Sequence, residues 1–136
     1  MALKVPRPAS LLALDALKTA WLMGASLRLF KNNITPGDAD VAATYTEANF
    51  TGYAPITLNS WGAAFLNAGN KAESDEINRV FTQTGVGVVS DVYGYYVLTA
   101  GGLLMFAERN PGGLVVMDTA GKTYSVLPRF TGISEF

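Results

Sequence analysis

Few side chains in this sequence are suited to acid–base or metal chemistry. The 136 residues include no histidine and no cysteine, so the commonest general base and the thiolate nucleophile are both missing. Oxygen ligands remain, and Asp38 and Asp40, with the more distant Glu47, have the chemistry that calcium needs. Their spacing does not match the EF-hand loop, and acids of this kind are common in solvated turns. We therefore predict no metal site and no cofactor.

The other carboxylates do not form a recognisable catalytic pair. Three of them fall in the segment 69–76, which we interpret as an acidic, solvated loop: Glu73, Asp75 and Glu76. Glu47 and Glu108 are single acids in apolar surroundings, and a salt bridge to a nearby arginine is the simplest role for each. Glycoside hydrolysis needs two carboxylates at a set separation, and the sequence specifies no such pair. We predict no catalytic residues and no enzymatic activity.

Two glycine motifs resemble nucleotide-binding loops only in part. Residues 118–123 end in the Gly-Lys-Thr of a phosphate-binding loop, but Val116 stands where that loop requires glycine. A strand-like segment follows, so no helix N-terminus faces a phosphate. Residues 85–87 begin a dinucleotide fingerprint, but Ser90 occupies its last glycine position. Both motifs are predicted to be turns.

Tyrosines provide the other candidate surface. Tyr93, Tyr95 and Tyr96, with Phe106, offer large area with polar tips, which suits a carbohydrate platform, a protein interface or a core strand. Alternation along the strand places Tyr93 and Tyr95 on one face and Tyr96 on the other. Because both faces are apolar, we expect the strand to be covered on both sides. The second cover is expected to be either another subunit or the core of the domain itself.

The N-terminal segment, which precedes the predicted strands, has the hydrophobic period of a helix. Pro6 and Pro8 are expected to keep residues 1–9 extended, and a helix is predicted from Ser10 to Met23, ending at Gly24. Its apolar stripe must be buried on this chain's own sheet or on a partner. The candidate interface residues are this stripe and two tyrosines: Leu11, Leu14, Leu17, Trp21, Tyr93 and Tyr95.

After Gly24 the hydrophobic period changes from that of a helix to two. Short apolar runs separated by turn signals every eight to twelve residues are typical of an antiparallel sandwich or barrel. We predict a mainly β protein, jelly-roll-like, with one N-terminal α-helix: residues 1–24 form the arm and helix, and residues 25–136 form one β-domain. The predicted strands are 25–31, 54–58, 61–67, 78–83, 91–99, 103–109, 114–117 and 122–127.

The composition excludes some classes of binding partner. Hydrophobic residues make up 49% and charged residues 15%, with a net charge of −1, so no positive field is available for nucleic acid. Two apolar stretches are candidates for a targeting or membrane segment. Asp15 and Lys18 interrupt the first, and glycines and short alternating runs break the second, residues 86–107. We predict no membrane segment, no export signal and no nucleic-acid partner.

Several segments, taken together, resemble small proteins encoded by tailed bacteriophages and prophages. The segments that carry the resemblance are Leu27-Arg-Leu-Phe-Lys-Asn-Asn33 with Thr35-Pro36, Thr46-Glu-Ala-Asn-Phe-Thr-Gly-Tyr-Ala54, Val92-Tyr-Gly-Tyr-Tyr-Val97, Phe106-Ala-Glu-Arg109, Val126-Leu-Pro-Arg-Phe130 and Ser134-Glu-Phe136. The resemblance implies a structural protein of the virion, most simply a capsid decoration (cement) protein that stabilises the head through subunit contacts. It implies as partners the major capsid protein and further copies of the chain, expected as a trimer. The implied location is the capsid surface, after assembly in the host cytoplasm.

Two alternatives stay open at the level of sequence. The first is a tail, neck or baseplate component of the same particle. The second is a β-sandwich module for host adhesion or carbohydrate binding that uses the tyrosines.

Overall fold

The computed structural model describes residues 6–131. One helix, α1 (Arg7–Leu17), continues into a single π-helical turn, Lys18–Leu22, which we call the π-turn. A 3-10 turn covers Ala42–Thr44. The strands are β1 (Ala25–Phe30), β2 (Ile56–Leu58), β3 (Phe65–Leu66), β4 (Ala72–Asp75), β5 (Arg79–Thr82), β6 (Ser90–Val92), β7 (Gly94–Leu98), β8 (Leu104–Arg109), β9 (Val115–Met117), β10 (Thr123–Val126) and β11 (Arg129–Thr131).

All strand pairs are antiparallel and they form four small sheets. The largest has the order β2-β1-β7-β8, and the second has the order β11-β4-β3. Strands β10 and β5 pair with each other, as do β6 and β9. Among the described residues no sheet closes into a barrel, and the arrangement is sandwich-like. The prediction of a mainly β, antiparallel fold with one N-terminal helix is confirmed.

Strand β1 separates two hydrophobic clusters because its side chains alternate between the faces of the sheet. Leu27 and Leu29 are fully buried in the main cluster, on the face that also receives Leu22 from the π-turn. Phe30 lies in the second cluster on the other face, with Tyr96. The predicted two-residue period of residues 25–31 is therefore confirmed.

Strand β7 is buried on both faces, and this chain supplies both covers. Tyr95 and Val97 enter the main cluster, whereas Tyr96 and Leu98 enter the second one. Gly94 is required at the start of the strand, since a Cβ there would overlap the carbonyl oxygen of Glu108 and lie 2.7 Å from the Phe30 ring. The expected double cover is found, and it does not use another subunit.

The helix begins earlier than predicted. It starts at Arg7, Pro8 lies in its first turn, and Pro6 occupies the cap position that we had predicted for Ser10. The error has a physical reason: the first-turn N–H groups have no intrahelical acceptor, so proline costs nothing there. Ser10 is buried, and its hydroxyl lies 3.4 Å from Pro6 O. Residues 1–5 of the predicted arm, and Ser134-Glu-Phe136 at the other end, lie outside the described residues.

The segment 69–76 was wrongly interpreted as a solvated loop. Its second half is β4, which pairs with β3 and β11. Ala72 and Ser74 point inward, and the Ser74 hydroxyl donates to Gly62 O at 2.8 Å. The polar composition concealed a strand because its inward positions are small rather than apolar. Glu76, which follows the strand, has a fully buried side chain.

Other strand bounds shifted as well. The segments predicted at 54–58 and 61–67 shrink to three and two residues. The segment predicted at 91–99 divides at Tyr93 into β6, which pairs with β9, and β7, which pairs with β8. Strand β11 was not predicted. No helix within residues 6–131 has both the length and the hydropathy to cross a bilayer.

Candidate functional site

The inner face of α1 and the π-turn belongs to the core. Leu14 is 3% exposed, and Leu22 is fully buried in the main cluster, against which the half-buried Leu17 packs. The Trp61 indole N–H donates to Leu22 O at 3.1 Å, which satisfies a carbonyl at the end of the π-turn. The helix is therefore attached to the domain both by apolar contact and by a buried hydrogen bond.

Both charged residues in the middle of the helix also bind the domain. Asp15 Oδ1 accepts from the backbone N–H of Ala64 at 3.1 Å and from Lys18 Nζ at 2.8 Å. Lys18 Nζ donates in turn to Gly62 O at 2.9 Å. The hydrogen bond from Lys18, followed by that from Ala64, lowers the pKa of the Asp15 carboxyl. These two charges hold the helix to the segment that precedes β3.

The outward side of this helix is apolar. Between positions 8 and 23 the exposed residues are apolar except for Thr19, whose hydroxyl donates to Asp15 O at 3.0 Å. The Asp15 side chain, although it binds Ala64 and Lys18, is also 45% exposed. Surface helices normally turn several charged residues outward, whereas this helix turns mostly alanines and larger apolar residues outward. We define the outer face of α1 as its exposed apolar residues: Ala9, Leu12, Ala13, Ala16, Ala20, Trp21 and Met23.

The π-turn decides which large side chains reach this outer face. Met23 N–H donates to Lys18 O, five residues back, so the turn contains one residue more than an α-helical turn. With that register Leu22 is buried and Trp21 is 50% exposed. Gly24, with φ of 79°, then directs the chain into β1, and its N–H donates to Leu58 O.

The predicted interface residues therefore divide. Leu14 and Tyr95 are buried inside this chain, so neither is accessible to a partner. Leu11, Leu17 and Tyr93 are half-buried, and Trp21 is exposed on the outer face of α1. Leu12, which is 73% exposed, was not among these candidates. Its signal was available: Leu12 lies four residues before Ala16 and eight before Ala20, a helical spacing of uncharged residues.

The tyrosines form no flat, open platform. Tyr95 is buried and its hydroxyl donates to Glu108 Oε2 at 2.7 Å. Tyr96 stacks on Tyr45, with 5.0 Å between ring centroids. The Arg109 guanidinium lies over the Tyr93 ring, 5.2 Å from its centroid. Each ring of the predicted cluster thus has a partner within the chain.

Burial raises the pKa of several tyrosine hydroxyls, which makes them weaker acids. Desolvation, followed by the hydrogen bond to Glu108, raises the pKa of Tyr95, and desolvation raises the pKa of Tyr124 to about 12. Desolvation also raises the pKa of Tyr45 and of Tyr53. A phenol in this state remains protonated at neutral pH and acts as a hydrogen-bond donor rather than as a base.

The acids are bound by neighbouring groups. Glu47 forms the expected ion pair with Arg28 at 2.9 Å and also accepts from the Tyr53 hydroxyl. The expectation of an arginine partner was wrong for Glu108, whose partner is the Tyr95 hydroxyl. The buried Glu76 accepts from two backbone N–H groups and from the Arg79 guanidinium. The prediction that Glu76 is solvated was therefore wrong.

The loop that holds Asp38 and Asp40 is closed by its own hydrogen bonds. Asp40 Oδ2 accepts from Gly37 N–H at 2.8 Å and from the Tyr45 hydroxyl at 2.7 Å. The bond from Tyr45, and then that from Gly37, lowers the pKa of the Asp40 carboxyl. Within the described residues, no group of three or more acids is placed to share a metal ion.

The glycine motifs are turns, as predicted. Gly121 has φ of 87°, its N–H donates to Gln83 O at 2.7 Å, and β10 follows directly. In the other motif, the hydroxyl of Thr51 accepts from Val88 N–H, which fixes the loop to a neighbouring segment. No protein family, curated protein or solved structure matches this chain.

Proposed function

We propose that this protein is a structural subunit of a tailed-phage virion, and that it decorates and stabilises the head by binding the major capsid protein. The observation that carries the proposal is the outer face of α1. An apolar helix face directed away from the domain is the kind of surface that a second protein covers. The resemblance of the quoted segments to phage proteins gives that second protein its identity in the proposal.

The residues on this face suit a permanent contact. Its alanines allow another backbone to approach closely, while Leu12, Trp21 and Met23 supply the larger side chains that fill a facing groove. Burial of apolar area contributes about 25 cal/mol per Å², and none of the residues that define this face is charged. Such a contact, repeated over a shell, stabilises it by adding a small favourable free energy at each copy, and it needs no catalytic group.

The groups able to do chemistry favour the same interpretation. Asp15 and Lys18 fasten the helix, Glu47 and Glu76 bind arginines, and the buried Tyr95 binds Glu108. Each of these contacts joins separate segments of the chain and maintains the fold. We therefore propose a binding role rather than an enzymatic one.

A tail, neck or baseplate position remains the alternative within the virion, since the same helix face would serve there. The adhesion module is less favoured, because glycan recognition by stacking needs exposed rings and Tyr95 and Tyr96 are buried.

The test uses particles that lack this protein. Leu12→Glu places a charge on the outer face of α1, and Val86→Glu places the same charge on an exposed loop elsewhere; Val86 is 82% exposed. Both variants are expected to keep the Tm of the parent protein, because neither side chain is buried. Leu12→Glu should lose binding to the shells and Val86→Glu should retain it. Unchanged binding of Leu12→Glu would overturn the proposed docking face.

A further inference from the structure

A groove of about 440 Å³ runs along the free edge of β8, a size within the range of clefts that bind ligands. Strand β8 is the last strand of the order β2-β1-β7-β8. One wall of the groove is the stretch from Leu104 to Ala107, and the other is the loop from Pro36 to Asp40, with Tyr45. We propose that residues 1–5 of a second copy of this chain occupy the groove and add a strand to β8.

The backbone of β8 has the polarity that strand addition needs. Asn110 N–H donates to Tyr93 O at 2.8 Å, and Tyr95 pairs with Glu108. Because backbone groups alternate in an antiparallel ladder, Ala107 directs its N–H and C=O away from β7, into the groove. An unpaired edge of this kind is a template for another strand.

A bulge makes the edge short. Phe106 pairs with Val97 and Leu104 pairs with Leu98, so Met105 is the extra residue. Bulges interrupt straight pairing, and the accessible edge between Met105 and Ala107 therefore suits a segment of a few residues. An extended segment of five residues spans about 17 Å, which is enough to cross it.

The charge and the alternation of residue types in residues 1–5 match the groove. The loop wall carries Asp38 and Asp40, and neither forms an ion pair among the described residues. Residues 1–5 read Met-Ala-Leu-Lys-Val, so Leu3 and Val5 alternate with a single cation, Lys4. In an added strand, Lys4 would face the acidic loop while Leu3 and Val5 lie on the opposite face.

That opposite face already exposes apolar surface. Met105 and Phe106 are half-buried and pack against the edge of the main cluster, on the side opposite to Leu104 and Ala107. Leu3 and Val5 of the incoming segment would extend this cluster. The donor segment precedes α1, which packs against β3 and β4, and no α1 residue lines the groove. A second copy is thus the donor that we infer, independently of where the protein lies in a particle.

Lys4 and Asp38 supply a direct probe. A carbodiimide couples an amine to a carboxylate only when the two groups are in contact, so it should join Lys4 to Asp38. With an equal mixture of isotopically light and heavy chains, mass spectrometry should find mixed light–heavy crosslinks. Crosslinks confined to chains of one isotope would show that the segment folds onto its own chain, and would overturn the proposal.

Association of the full-length chain is measured in parallel by sedimentation. Lys4→Glu should weaken self-association about tenfold, and the double variant Lys4→Glu/Asp38→Lys should restore it. Arg7→Glu makes the same charge change on an exposed residue outside the segment and should have no effect. Ala107→Pro removes the outward N–H and should also weaken association. A monomeric parent chain, or a Lys4→Glu variant that associates as tightly as the parent, would contradict the proposal.

Discussion

Replacing Leu22 and Leu12 by alanine gives a matched test of the two faces of the N-terminal helix. Leu22 is fully buried, whereas Leu12 is 73% exposed. Leu22→Ala removes three buried carbons, worth about 2.4 kcal/mol of transfer free energy, and leaves a cavity in the main cluster that raises the expected cost to about 3.5 kcal/mol. Leu12→Ala is expected to cost less than about 0.5 kcal/mol.

The assay is urea unfolding followed by far-UV circular dichroism, with the free energy of unfolding compared between variants. For a domain of this size, about 3.5 kcal/mol corresponds to a fall in Tm of roughly 10 °C, so a thermal melt provides an independent reading. Binding to shells that lack the protein should show the reverse order, with Leu12→Ala the weaker binder per folded molecule. Equal destabilisation by the two substitutions would refute the division of the helix into a core face and a docking face.

Three further predictions concern the fold. Gly94→Ala should destabilise the protein by more than about 3 kcal/mol in urea unfolding, because the added Cβ overlaps Glu108 O, whereas Gly112→Ala, which meets open space, should be nearly neutral; equal effects would contradict the packing of β7. Glu76→Gln should cost about 3 kcal/mol, since it leaves the buried face of Arg79 uncompensated, and the exposed pair changed by Asp118→Asn should cost less than about 0.5 kcal/mol. Stability should hold up to about pH 10 and then fall, by up to about 1.4 kcal/mol per pH unit for each tyrosine, because the unfolded chain releases phenolic protons that the folded chain retains; urea midpoints that do not fall between pH 9 and pH 11 would contradict this. The tyrosines concerned are Tyr45, Tyr53, Tyr95 and Tyr124.

The alternation of side chains along the chain was sufficient to predict most of the central sheet. Residues 25–31 alternate Leu27 and Leu29 with Arg28 and Phe30, and the two sets lie on opposite faces. The segments predicted at 91–99 and 103–109 contain β7 and β8, which pair with each other. These elements are predictable because the order of apolar and polar residues along a strand indicates whether one face or both faces are buried.

Other features depend on contacts between distant segments. The strand at Ala72–Asp75 is polar in sequence, and it exists because β3 and β11 pair with it on both sides. The π-turn follows from the requirement to bury Leu22 beside Trp61, 39 residues away in the sequence. The local period alone therefore placed Trp21 and the buried Leu14 on one stripe and did not separate the inner face from the outer face.

For the same reason, the sequence could predict which element carries the candidate site but not the contacts that orient it. The sequence pattern identified the N-terminal helix as a candidate interface, because its apolar stripe must be buried on the sheet of this chain or on a partner. It could not show that Asp15 and Lys18 bind Ala64 and Gly62, so that the residues on the outward side are mostly apolar. The orientation of the two charged side chains depends on this tertiary contact, since a charged pair at this spacing usually faces water.

The most direct test of the proposed role is the abundance of this protein in purified phage particles. Quantitative mass spectrometry would compare its copy number with that of the major capsid protein in the same sample. A decoration protein of the head should be present in hundreds of copies, in a fixed ratio to the capsid protein, and should be lost when shells are prepared from a strain that lacks its gene. A few to dozens of copies would place it in the tail, neck or baseplate, and its absence from purified particles would contradict the proposal that it is a virion subunit.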